Sequence, residues 1–257
     1  MTTPFQIPAL SCLGFWLCTT CGVQADPLAV WHPRTPLYLQ YPVFGVAYGN
    51  GTFTAVGEQG ILLTSSDSLH WTIRGYTGTR LTGISYANNL FVALGNFGQI
   101  LTSPNGESWT DRNSGTIRDL GDAASGNGTM VVVGESGTIL TSTNAVIWTN
   151  RTSGTFQGLH GIAYGNGLFV AVGNLGTIAT SPDGVNWTSR MSGLSQTLAD
   201  VSYGNNIFVA VGPAGTNLTS SDGVTWTAHT IGFSEAFSGL TYGNGTFVDL
   251  SAGRFLY

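Results

Sequence analysis

Arg80, Arg118, Asp119, Gln157, His160, Gln196 and Glu235 are the residues of this chain whose types and spacing point to shared chemistry. They recur at intervals of about 39 residues, yet their side chains differ. Together they offer donors, acceptors and both signs of charge, which suits reversible recognition of a polar surface. A backbone repeat would accept any small polar residue at these places, so their assortment points to an asymmetric partner. No serine or cysteine elbow accompanies them, and a nucleophile with an oriented base is not evident.

A second set lies at even spacing. Asp67, Asn105, Asn144, Asp183 and Asp222 each precede a tryptophan by four residues, namely Trp71, Trp109, Trp148, Trp187 and Trp226. Calcium would need several converging oxygens at each of these places, and the two asparagines remove charge. A carboxylate or amide that accepts backbone N–H groups of its own turn is the reading adopted. Of the four histidines, His32 and His229 fall on outer strands and His70 within such a turn, which leaves His160 alone. The set implies neither a metal centre nor another cofactor.

The elements that must position these residues are written five times. SSDSLHWT from Ser65, SPNGESWT from Ser103, STNAVIWT from Ser142, SPDGVNWT from Ser181 and SSDGVTWT from Ser220 place their tryptophans 38, 39, 39 and 39 residues apart. Ahead of each stands a phrase such as GIAYGNGLFVAVG from Gly161. Its Asn-Gly or Asn-Asn pair predicts a type I′ hairpin. Four strands of ~5 to 6 residues and short turns consume the repeat without room for a helix. Each repeat is thus a four-stranded antiparallel meander with two apolar faces, and such sheets stack as the blades of an all-β propeller.

Five turn motifs serve six blades. Residues 239–257 supply three strands of a sixth blade, and residues 28–36, LAVWHPRTP, align with an outer strand, Trp31 with Trp187 and Arg34 with Arg190. The expectation is a six-bladed propeller, residues 26–257, whose sixth blade is closed by the N-terminal strand. The connections before each inner strand then share a face with the turns at Glu58, Asn96, Glu135 and Asn174, around the channel mouth. Asp122 and Asp200 replace the glycine that opens an inner strand, and put two carboxylates near the axis.

The turn phrase resembles the Asp box, S-x-D-x-G-x-x-W, of the bacterial neuraminidase repeat, with Asn105 and Asn144 in place of Asp and Ser68 and Ala145 in place of Gly. The resemblance implies a sialidase-like propeller and, as the alternative function, a glycoside hydrolase with an arginine triad, a Tyr–Glu pair and an Asp acid/base. Arg34, Arg74, Arg112, Arg151 and Arg190 all follow a tryptophan by three residues and are repeat positions, as are Tyr48, Tyr86, Tyr164, Tyr203 and Tyr242. Arg80, Arg118 and Arg254 remain, without the Arg-Ile-Pro phrase of sialidases. The Gly-rich repeats also resemble propellers of the photosystem assembly-factor type, which implies a protein-binding role.

Charge narrows the partners. The formal net charge is -5, with no lysine, which opposes nucleic acid and anionic membrane surfaces. Residues 1–25 hold all three cysteines, an apolar run and Val23-Gln24-Ala25, and read as a secretory signal peptide. The expected product is a secreted, periplasmic or cell-surface monomer, free of cysteine and of membrane insertion after cleavage. It binds a protein or glycan and is not an enzyme.

Overall fold

The structure is a computed structural model that describes residues 41–230, 237–251 and 254–256. Five four-stranded antiparallel sheets follow one another along the chain, and a sixth has three strands among the described residues. Sheet four is representative, with strands Leu159–Gly165, Leu168–Gly173, Thr177–Ser181 and Thr188–Met191 in sequential order. The first strands of the six sheets are Val43–Gly49, Leu81–Ala87, Leu120–Gly126, Leu159–Gly165, Asp200–Gly204 and Phe237–Gly243. All six line one cavity of 960 Å³, so they are the inner strands of a propeller. Residues 28–36, expected to complete the sixth sheet, lie outside the described residues, as do residues 1–25.

Asparagine accounts for the first hairpin of each sheet. Asn50 and Gly51 sit at φ 49° and 74°, Asn166 and Gly167 at 49° and 76°, and Asn205 and Asn206 at 46° and 62°. Two successive positive φ angles make the type I′ turn that the sequence predicts, and Asn and Gly tolerate it best.

Side-chain alternation in the second strand of each sheet divides the core. In sheet four, Phe169 and Ala171 pack on Val131 and Val133 of sheet three. Val170 and Val172 pack on Val201, Phe208 and Ala210 of sheet five. Sheets two to five therefore each contribute to two cores, which is why these strands are apolar on both faces. Phe91, Phe169 and Phe208 are fully buried, and each such burial is worth about 1.5 to 3 kcal/mol.

In sheets two to five the tryptophan turns fasten the sheet to the preceding one. Trp109 packs against the core between sheets one and two, Trp187 against that between three and four, and Trp226 against that between four and five. Within the turns, Asp183 Oδ1 accepts the N–H groups of Val185 and Asn186 at 2.8 and 2.9 Å, and the indole of Trp187 donates to the Gly184 carbonyl at 2.8 Å. Asp222 accepts from Val224 and Thr225 at 2.8 and 2.7 Å. Asn105 and Asn144 take the same pairs at 2.9 to 3.2 Å, longer because the acceptor is uncharged. In the third turn Ala145 occupies the glycine position, and the Trp148 indole N–H has no partner among the described residues.

Candidate functional site

Two sets of connections form the channel-mouth face. The N–H of Glu58 donates to Pro42 O, Asn96 to Arg80 O, Glu135 to Asp119 O and Asn174 to Gly158 O. Each second-to-third-strand turn is thereby tied to the segment that enters the inner strand, and the two share one face. Arg80 and His160 line the channel cavity itself. Arg118, Asp119, Gln157 and Gln196 stand on the same face outside the lining, and Glu235 falls outside the described residues.

Some of these residues have local partners. Asp119 accepts the Phe97 N–H at 2.8 Å, and the His160 Nε2 lies 2.7 Å from Asn174 Oδ1. The Arg80 guanidinium lies 4.1 Å over the Phe44 ring, with its Nε 3.7 Å from Glu58. Arg118 and Gln196 are exposed.

The same face carries apolar groups that the sequence pattern conceals. Phe97 and Leu175 are 75% and 63% exposed, and sit at φ 56° and 54° in their turns. Left-handed backbone is unfavourable for bulky residues, and the equivalent positions elsewhere hold Gln59 and Ser136. Ile117 and Phe156, 81% and 93% exposed, project from the neighbouring connections beside Arg118 and Gln157. The available signal was the departure of Phe97 and Leu175 from small or polar residues within otherwise regular turns.

Inside the channel, the Asp122 carboxylate accepts the N–H of Ala123 at 2.7 Å and, from sheet four, that of Ile162 at 2.9 Å. Asp200 takes Val201 and, from sheet six, Leu240, both at 2.7 Å. Both side chains line the channel cavity and are half-buried, with protein surrounding them. That enclosure pushes Asp122 up to about 6. It pushes Asp200 up to about 8, with the charge of Asp122 as the next cause and that of Asp249 as a smaller one. The turn carboxylates behave oppositely. Backbone N–H donors from Thr225 and Val224 lower Asp222 to about 2, those from Asn186 and Val185 lower Asp183 further, and His70 leads the causes that lower Asp67.

Among the described residues, those of a sialidase centre are not brought together. Arg74, Arg112, Arg151 and Arg190 each donate Nε to the threonine hydroxyl across the sheet, Thr64, Thr102, Thr141 and Thr180, at 2.7 to 2.9 Å. His229 takes the same place in sheet five, 2.7 Å from Thr219. Tyr48, Tyr86, Tyr164, Tyr203 and Tyr242 pack on the phenylalanine opposite, at ring distances of 4.5 to 4.8 Å. Arg80 lines the channel and Arg118 does not.

No protein-family model and no curated protein matches the sequence. Solved structures match its fold. The structure described as YCF48 bound to D1 peptide superposes with a TM-score of 0.70 at 20% identity, over 88% of this chain and 80% of that one. YCF48 from Cyanidioschyzon merolae gives 0.69 at 14%, over 90% and 85%. The WD40 β-propeller domain of Doa1 gives 0.67 at 13%, over 83% and 77%. At these identities the similarity is one of architecture, and the chain is a β-propeller.

Proposed function

We propose that this protein is a non-catalytic propeller that binds a protein partner on the channel-mouth face. The observation that carries the proposal is the display of Phe97 and Leu175 in left-handed turns, 75% and 63% exposed, on the face that also bears Arg80, Arg118 and Gln157. Exposed aromatic and aliphatic anchors ringed by polar groups are the composition of a protein interface. A bound peptide in a YCF48 structure supports the same use of the fold. Glycan binding is the competing outcome, and the neuraminidase-repeat resemblance of the turns is its basis.

In the same proposal, residues 1–25 direct export and are removed, residues 28–36 close the sixth blade, and the mature protein is a monomer. The test is affinity capture from the native host with the mature protein and with a Phe97→Ser, Phe156→Ser variant, followed by binding measurements on the purified partner. A partner retained by the parent and lost by the variant supports the proposal. A glycan array signal with no protein retained would replace it.

A further inference from the structure

We propose that Gly45, with the backbone N–H groups of Val46 and Ile84, forms a seat for a small carboxylate in the channel wall between sheets one and two. The proposal stands apart from partner binding, because a free carboxylate alone tests it.

Two side chains of the protein already define the geometry. At the repeat position held by Gly45, sheets three and five carry Asp122 and Asp200. Each of these carboxylates bridges two neighbouring inner strands, Asp122 the N–H groups of Ala123 and Ile162, Asp200 those of Val201 and Leu240. Sheets three and four share one carboxylate, and sheets five and six share another. The remaining neighbours are sheets one and two.

Their corresponding N–H groups belong to Val46 and Ile84. Val46 stands opposite Ala55 and Ile84 opposite Ala93, the register in which Ile162 stands opposite Ala171 and Leu240 opposite Asp249. In an antiparallel ladder such a register fixes which N–H groups turn away from the partner strand. A Cβ placed on Gly45 would lie 3.1 Å from the nitrogen of Ile84 and 3.3 Å from its Cγ2, so the glycine stands directly beside that group. Among the described residues no side chain caps either N–H.

Charge favours the same side of the channel. Arg80, stacked on Phe44, lines the cavity beside Gly45, Val46 and Ile84. An arginine next to two convergent N–H donors recognises a planar carboxylate. Asp122 faces the same cavity from sheet three and, when ionised, opposes a dianion more strongly than a monoanion, so the ligand class is a monocarboxylate. It is either a free acid or a carboxylate carried on a peptide that enters the channel.

The experiment titrates the ¹⁵N-labelled full-length chain with sodium acetate against sodium chloride at matched ionic strength. Saturable downfield shifts of the Val46 and Ile84 amide protons are expected, with Ala123, Ile162, Val201 and Leu240 unmoved because they are already bonded. Gly45→Asp, which tethers a carboxylate in the seat, abolishes the saturation. Arg80→Gln, which leaves the backbone untouched, weakens acetate by about tenfold and carries the test if the glycine variant does not fold. A peptide with a free C-terminus that shifts the same two amides, and whose amidated form does not, assigns the carboxylate to a chain end; acetate alone assigns it to a free acid. Non-saturating shifts, shifts spread over all six amides, or indifference to Arg80→Gln overturn the proposal.

Discussion

The ring of Tyr86 lies against Gly49 of the preceding sheet, so close that a Cβ on that glycine would come within 2.2 Å of it. Tyr164 bears the same relation to Gly126, Tyr203 to Gly165 and Tyr242 to Gly204. Sheet three departs from the pattern: Ser125 replaces its tyrosine, and the residue of sheet two that would face it is Ala87. At the remaining junction Tyr48 is 58% exposed and Gly243 has open space where a Cβ would stand.

A mutational cycle follows from that exchange. Gly165→Ala drives a methyl into the Tyr203 ring and is expected to cost about 1 to 3 kcal/mol in chemical denaturation. Ser125→Tyr should also destabilise, because Ala87 stands where the ring must lie. Adding Ala87→Gly to Ser125→Tyr should recover that loss, giving a coupling of at least about 1 kcal/mol. Additive effects would show that ring and glycine do not meet.

Acid and base should destabilise through different carboxylates. Asp122 and Asp200 titrate near 3.8 when unfolded and at about 6 and 8 when folded. Between those values the folded state holds more protons, so stability falls as pH rises through them. A loss of several kcal/mol is expected between about pH 4 and pH 8, and Asp200→Asn should flatten it. Asp67, Asp183 and Asp222 have lowered values, so their contribution is present above 3.8 and disappears as pH falls through the folded values. Urea midpoints measured across this range would show a maximum near pH 4 to 5; a curve still rising at pH 8 would contradict the assignment.

The two faces of the propeller should separate stability from binding. Asp183→Ala and Asp222→Ala are expected to lower the melting temperature and leave partner affinity unchanged. Asp183→Asn should lose less, because Asn105 and Asn144 already hold the same turn with an amide. Arg118→Ala combined with Gln157→Ala should weaken the partner about tenfold, with the melting temperature nearly unchanged. Affinity that instead tracks the Asp183 and Asp222 variants would move the binding surface to the opposite face.

Export and closure have separate readouts. Intact mass of the secreted protein is expected to begin at Asp26. Removal of residues 28–36 from the mature chain should cost several kcal/mol, about what an uncovered edge and a lost tryptophan imply. An unchanged melting temperature on that truncation would show that the strand does not complete a blade.

The fold was legible where local chemistry dictates conformation. Asn-Gly and Asn-Asn pairs mark hairpins because few other residues accept two positive φ angles, and doubly apolar strands such as LFVAVG need a sheet on each side. The mouth was legible less completely. Arg80 and His160 reach the channel, but the bridging of Asp122 to Ile162 depends on the spacing of inner strands, which no single repeat encodes. Phe97 and Leu175 were missed because apolar residues in a strand-rich repeat read as core, and only their turn geometry turns them outward.

The division of each second strand between two cores bears on how such a chain can change over generations. Phe169 and Ala171 serve one neighbour while Val170 and Val172 serve the other, and the Gly165–Tyr203 contact crosses the same kind of boundary. Each 39-residue unit therefore carries one half of the interface before it and one half of the interface after it. Unequal recombination between repeats in the coding DNA would insert or delete a unit whose faces match their new neighbours wherever the glycine–tyrosine pair is kept, whereas loss of sheet three would set Tyr164 against Ala87. Blade number, and with it the width of the channel, is then open to change in a single event, while the packing at the regular junctions is inherited intact.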